Sequence, residues 1–588
     1  MDDPKDYHIN VPSTVENEYR LQLPKASNLA HNSFPHGLSP STDSFPRLNS
    51  SAAATTAQDE RQQTLKAATQ RYPKAIAWSA AISLAIVMEG FQTALINGFY
   101  AFPQFQKAYG VEVSPDEYQI TTTWQSALGN SSVAGSVIGL LANGLLTEMF
   151  GYRRTMMGAL LLLAAAIFLT FFASSLQTLL AGQVLCGLSW GVFSTLTTTY
   201  AAEMVPVTLR GYLTASVNLC WLLGQIIAQG ALRGFLDTQS QWSYRIPFAL
   251  QWVWIIFVFS ITIFAPESPW WLIRQDRAQD AQQVLERLTS SHHDDQDFNA
   301  SHTVAMMLYT NEVEKRLNQG RSQLSYLECF RGTSLRRTEI ACAVFMIQNM
   351  SGLPVIGFAA YFYTRIGFSQ KRSYDLTIGM HSIAILAGLL SFVLMRYLGR
   401  RALYLAGLTL QFLVLLAAGI LGIFEETTTN LWGTAGLIIV FIFVFDLLVA
   451  PLPYTIVAEV PSTRLRVKTV VLARVAYNLC SLATNPLQNA MLSSLKWNWR
   501  AKSCFSWAGS CFLCTVYCVF RLPETKGLTY LELDLLFEKK AHATKFASVQ
   551  KRLASSGYFD LRDEQVSGVQ WVEVPSSTRN VSVEMNWP

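Results

Sequence analysis

Two carboxylic acids stand where a carboxylate is costly, inside long apolar runs. Glu89 lies within the run from Ala75 to Asn97, and Asp446 within the run from Val440 to Ala450. An ionisable group in such a setting marks a pathway or coupling site. A carboxylate there can take up and release a proton, whereas Gln92, one helical turn from Glu89, can only hydrogen-bond. A third chemistry is ionic. Arg153, Arg154, Glu203, Arg210 and Glu267 recur in kind as Arg400, Arg401, Glu459, Arg464 and Glu524. Arginine forks bind carboxylates in pairs, so each set predicts an interlocked charge cluster.

These groups need elements to hold them. The chain has 588 residues, 51% hydrophobic and only 14% charged, with mean hydropathy +0.23. Soluble proteins carry about 25% charged residues, so the balance predicts an all-α membrane protein of many spans. The net charge of +5 is spread over short loops and gives no support to nucleic-acid binding. No nucleophile–base constellation, metal-ligand spacing or phosphate loop is present, which argues against an enzyme and against cofactors or metals. Cys511, Cys514 and Cys518 fall inside an apolar run and read as packing residues.

About twelve spans are predicted, near 76–98, 122–146, 155–173, 177–201, 212–232, 246–265, 338–362, 375–395, 402–423, 432–456, 469–494 and 502–521. Residues 1–70 read as a disordered cytosolic tail without a cleavable signal peptide. Residues 71–271 read as an N-terminal six-helix bundle and 272–335 as a cytosolic linker with amphipathic helices, one over Ala278 to Leu288. Residues 336–538 read as a C-terminal six-helix bundle and 539–588 as a second cytosolic tail. Basic residues gather in the loops after spans 2, 4, 8 and 10, which places both termini in the cytosol.

The halves repeat. Gly151, Glu203 and Glu267 correspond to Gly399, Glu459 and Glu524 at offsets of 248, 256 and 257 residues. Near-constant offsets between charged motifs at one membrane face predict two duplicated bundles, with the charge clusters acting as a cytosolic gate. Asp446 lies 13 residues before Glu459, about 20 Å along a helix, a depth similar to that of Glu89.

Gly151-Tyr-Arg-Arg154, Glu203 with Arg210, Pro266-Glu-Ser-Pro269, Gly399-Arg-Arg401 and Pro523-Glu-Thr-Lys526 together resemble the sugar porters of the major facilitator superfamily. Met88-Glu-Gly90, Asn218-Leu-Cys-Trp221 and Lys496-Trp-Asn-Trp499 are similar to the fungal maltose (α-glucoside) permease branch. The resemblance covers roughly 75 to 550. It implies twelve transmembrane helices in two pseudo-repeat bundles, alternating access and a sugar substrate. It also implies substrate contacts at Asn218, Gln348 and Asn349, with Gln92 alongside and Phe91, Trp221 and Tyr454 as aromatic walls. The proton symporters of this branch usually carry Asp at the position of Gln92 and Glu at that of Ser136. Glu89, with Asp446, is then the remaining proton-coupling candidate. The expected function is transport of an α-glucoside such as maltose, or of a hexose, by a monomer in the plasma membrane. Transport of a different polar metabolite and a non-transporting sugar sensor are the alternatives. His381 reads as a satisfied helix-interface residue, and the Asn130, Asn299 and Asn349 glycosylation patterns as unmodified.

Overall fold

The protein is described by a computed structural model. It covers residues 65–526 except 116, 290–299, 319–325, 425–426, 462–464 and 495, together with 533, 536–537 and 542–546. Hydrocarbon offers the backbone no hydrogen-bond partner, so a crossing chain must be helical. Six crossings make the first half: Pro73–Phe99, Thr122–Phe150, Tyr152–Phe171, Leu176–Met204, Val207–Phe235 and Trp242–Phe264. The second half has 332–365, Gln370–Tyr397, Arg400–Leu421, 428–459, Arg466–Leu492 and Ser503–Arg521. We number these spans 1 to 12.

Ten of the described helices are long and apolar enough to cross a membrane by composition alone. Spans 7 and 11 fall outside that set for different reasons. Span 7 is broken into Gly332–Met350, Leu353–Gly357 and Ala359–Arg365, with Gly352 at φ 111° and Pro354 in the break. Span 11 is continuous but polar, carrying Arg474, Asn478, Asn485, Gln488 and Asn489. Span 10 departs from α geometry too, with a π-helical turn over Phe445–Val449 followed by Pro451. All three irregular or polar spans belong to the second half, and all three face the centre of the molecule.

Glycines set how closely the spans approach. A Cβ on Gly90 would collide with the carbonyl of Trp221, and one on Gly224 with the carbonyl of Val87. Spans 1 and 5 therefore cross backbone to backbone. Spans 2 and 4 do the same through Gly135 and Gly139 against Gly187 and Gly191.

Order begins before the expected tail boundary. Leu65–Arg71 is helical and Ala68 is fully buried, so a disordered segment ending at 70 is corrected; residues 1–64 lie outside the described residues. So does most of 539–588. The loop after span 1 holds an unanticipated hairpin of Val111–Ser114 and Glu117–Gln119. In the linker, Ala278–Leu288 is helical and buries Ala281, Leu285 and Leu288 on one face. In the loop between spans 11 and 12 Arg500 sits at φ 48°, where a side chain is strained and glycine is not. Arg500→Gly is expected to stabilise the protein by roughly 1 kcal/mol, read as a higher unfolding temperature in detergent.

Candidate functional site

Spans 1, 2, 4, 5, 7, 10 and 11 surround a central cavity whose empty space, counting its mouth, is about 1370 Å³. Nine of its lining side chains are Asn or Gln, and two, Glu89 and Arg474, are charged. Glu89, Gln92, Asn218, Trp221, Gln348 and Asn349 all line it, as do Tyr454 and Ser136. Phe91 does not; it packs into the apolar core at 5% exposure. Asp446 does not line the cavity either. It is buried behind the wall in the π-turn of span 10, where its Oδ1 accepts from Asn218 Nδ2 at 3.3 Å.

Several wall groups are already committed. Gln348 Nε2 donates to the Ala450 carbonyl at 2.8 Å, and Asn349 Nδ2 to the Tyr477 carbonyl at 3.1 Å. The breaks in spans 7 and 10 thereby brace each other, since Ala450 immediately precedes Pro451. Gln92 Oε1 accepts from Gln251 Nε2. Other wall atoms are buried with no protein partner: Glu89 Oε2, Gln92 Nε2, Gln183 Nε2, Trp190 Nε1 and Gln225 Oε1. Buried polar atoms are normally satisfied. A set containing both donors and acceptors matches hydroxyl groups, which serve either role.

Arg474 is the residue that reading the sequence missed. Its guanidinium lies 5.3 Å from the Phe345 ring, 5.7 Å from Tyr454 and 5.2 Å from Tyr477. It also interacts electrostatically with Glu89 across the cavity. The signal was available, because the rule that singles out Glu89 in an apolar run applies equally to a charge in span 11.

The two halves are joined at the ends that carry the loops after spans 1, 5 and 7. Tyr374 Oη donates to the Gly98 carbonyl at 2.8 Å, and Tyr100 packs against Phe358 and Tyr361. Arg233 pairs with Asp375 and Lys371 with Asp237, each at 2.8 Å. Deeper in, Asn130 donates to the Leu482 carbonyl and Asn478 to Ser136 Oγ, tying span 2 to span 11. These contacts bridge the two halves at that end of the cavity. His381 is buried beside the Thr377 carbonyl, 2.8 Å from its Nδ1.

At the opposite ends of the spans the charged sets form two matching braces, and their described bonds stay within one bundle. Glu267 accepts from the backbone N–H of Tyr152 and Arg153, and Glu524 from those of Arg400 and Arg401. Each carboxylate caps the exposed amides that open span 3 or span 9. The glycine before each helix is explained by this, since a Cβ on Gly151 or Gly399 would press on that carboxylate. Ser268 donates to Glu203, and Thr525 to Glu459, in register. The cations differ: Arg400 pairs with Glu459 at 3.2 Å, while Glu203 pairs at 2.8 Å with Arg274 from beyond span 6. Tyr152 occupies the place of Arg400. Arg210 donates to the Ala202 carbonyl, Arg401 to the Val519 carbonyl, and Arg154 is exposed. Arg464 lies outside the described residues.

Burial pushes the Glu267 carboxyl up against the pull of the two amides and Arg153. A raised folded pKa means the folded state holds the proton more tightly than the unfolded one. The stability from this acid therefore falls, rather than rises, as pH climbs above the ordinary glutamate value. Glu267→Ala and Glu524→Ala are each expected to destabilise by about 1–2 kcal/mol. The losses should add in the double variant, because the sites share no partner; thermal unfolding of the three proteins checks this.

Two six-helix bundles closing on a polar cavity, each braced by the same charged motif, define a secondary transporter of the major facilitator fold. Solved structures share the fold. The inward-open xylose transporter of E. coli matches with TM-score 0.62 at 17% identity, over 79% of this chain and 99% of that one. The same transporter, described as a proton:xylose symporter of the superfamily and bound to 6-bromo-6-deoxy-D-glucose, matches with TM-score 0.64 at 17% identity over the same shares. The chain belongs to the family described as "Sugar (and other) transporter", which it matches over residues 78–537. A maltose permease of Saccharomyces cerevisiae is 38% identical over 497 residues, 84% of this chain and 80% of its own length. A general alpha-glucoside permease of the same organism is 36% identical over 514 residues, 87% of this chain and 83% of its own. The protein is a sugar-family membrane transporter and not an enzyme.

Proposed function

We propose that this protein is a permease for a neutral α-glucoside such as maltose, moved inward together with a proton. The observation that carries the substrate class is the wall itself, nine carboxamides against one acid and one base. Amides read hydroxyl groups without favouring a charged ligand, and the single positive and single negative charge leave the wall neutral overall. Trp190, Trp221, Tyr454 and Tyr477 supply the apolar faces that pack against sugar rings. The maltose and alpha-glucoside permeases among its relatives support a disaccharide over a hexose.

Proton coupling falls to Glu89, the one acid on the cavity wall, because Gln92 and Ser136 do not titrate near neutral pH. The paired braces keep the cytosolic ends of spans 3, 4 and 6, and of spans 9, 10 and 12, in fixed register. Each bundle then rocks as a unit around the cavity, as a monomer in the plasma membrane with both termini cytosolic. Labelled-maltose uptake into cells expressing the protein, with simultaneous recording of external pH, tests the reading. Sugar-linked alkalinisation is expected. Uptake without any proton entry would make it a uniporter, and counterflow inhibited by no disaccharide would overturn the substrate.

A further inference from the structure

We infer that Arg233, Asp237, Lys371 and Asp375 form a salt-sensitive latch between the bundles, which sets how often this end of the carrier opens. The latch is independent of the substrate and of proton coupling, and only the side of the membrane it faces rests on the proposed orientation. Arg233 is on span 5, and Asp237 lies one turn further, just past Leu236, which still has helical angles. Lys371 and Asp375 are one turn apart at the start of span 8. Residues four apart on a helix share a face. Each bundle therefore offers one cation and one anion side by side. The two faces meet crosswise: Arg233 Nε lies 2.8 Å from Asp375 Oδ1, and Lys371 Nζ 2.8 Å from Asp237 Oδ1.

Position, rather than strength, gives the quartet its role. Its side chains are a third to two-thirds exposed, so water and dissolved ions reach them. Exposed pairs add little to folding stability. An equilibrium between two carrier states responds to the same small energy when only one state contains the contact. Tyr374, next to Asp375 in the chain, is fully buried, with its hydroxyl on the Gly98 carbonyl of span 1. The quartet is the charged, solvent-reached part of the same junction. At the opposite end the described pairs Arg274–Glu203 and Arg400–Glu459 each stay within one half. Parting the bundles here breaks two ion pairs, whereas parting them at the opposite end separates neither brace.

A cysteine inside the cavity reports the opening. Gly129 lines the cavity seven residues into span 2, and a Cβ there meets Tyr100 Oη at an ordinary 3.7 Å. Gly129→Cys, in the full chain in sealed vesicles, is labelled by a membrane-impermeant maleimide added to one side. The protein without that change gives the background of its nine cysteines. Arg233→Asp with Asp237→Arg sets like charge against like at constant net charge, and is expected to speed labelling about fivefold. Adding Lys371→Asp with Asp375→Lys restores opposite pairing and should return the original rate. Salt at about 1 M shrinks the screening length to about 3 Å. It should speed labelling with the unaltered quartet and slow it in the first-bundle reversal, a change of sign that a merely structural contact would not give. Should that reversal not reach the membrane, the second-bundle reversal alone makes the same like-charged pairs. Rates within twofold across the quartet variants, or salt effects of one sign in both, overturn the latch. Labelling that follows this charge pattern from the opposite side keeps the latch and refutes the proposed orientation.

Discussion

Glu89→Gln is expected to uncouple the transporter, leaving exchange of sugar across the membrane but no accumulation against a gradient. The substitution keeps the side chain's size, exchanges one accepting oxygen for a donating NH₂, and removes the charge together with the ability to carry a proton. A charge crossing 100 mV gains about 2.3 kcal/mol, so a one-proton symporter can hold about a 50-fold sugar gradient at that potential. The variant should relax to equal concentrations on both sides. Accumulation ratio and external pH, followed in the same suspension, give the result. Proton entry undiminished in Glu89→Gln would remove the residue from the coupling role.

Arg474→Leu is expected to reduce initial uptake by 100-fold or more at equal membrane abundance. The guanidinium interacts electrostatically with Glu89 and lies close to Phe345, Tyr454 and Tyr477. Removing one member of a buried charge pair costs about 3–5 kcal/mol, because the other charge is left uncompensated. Arg474→Lys separates charge from shape. It keeps the cation but loses the planar group that lies against the rings, and a loss of about tenfold is expected. Uptake within a few-fold of normal in Arg474→Leu would show that Glu89 needs no partner.

The bundle architecture was legible because its signals are long or repeated. Apolar runs of span length, together with Gly151, Glu203 and Glu267 recurring half a chain later, are enough to imply two bundles. The cavity was legible in part. Glu89, Gln92, Asn218, Gln348 and Asn349 lie on its wall, since an amide or acid in an apolar run has few other reasons to be there. Phe91 and Trp221 look alike in sequence, yet one packs inward and the other lines the cavity. That difference depends on the rotation of each helix, which no residue type encodes. Arg474 carried the same signal as Glu89, a charge within a span, but the company of Asn478, Asn485, Gln488 and Asn489 made it less conspicuous. Likewise Arg274, the partner of Glu203, has no counterpart in the second repeat and so no pattern to reveal it.

That last asymmetry bears on how the chain can be divided. In the second half, the cation of the brace sits at the start of span 9, inside the bundle it secures. In the first half it sits on Pro269–Arg274, already past the last crossing. Counting crossings would place the seam between the repeats at Ala265, but the mechanical seam lies further along. Lys74 reaches the Thr289 carbonyl at 3.4 Å, and Arg287 the Phe264 carbonyl at 3.2 Å, so the first unit extends at least to Thr289. Two co-expressed fragments split after Thr289 should reassemble into a working carrier. Fragments split after Ala265 should not, although both pairs contain every crossing.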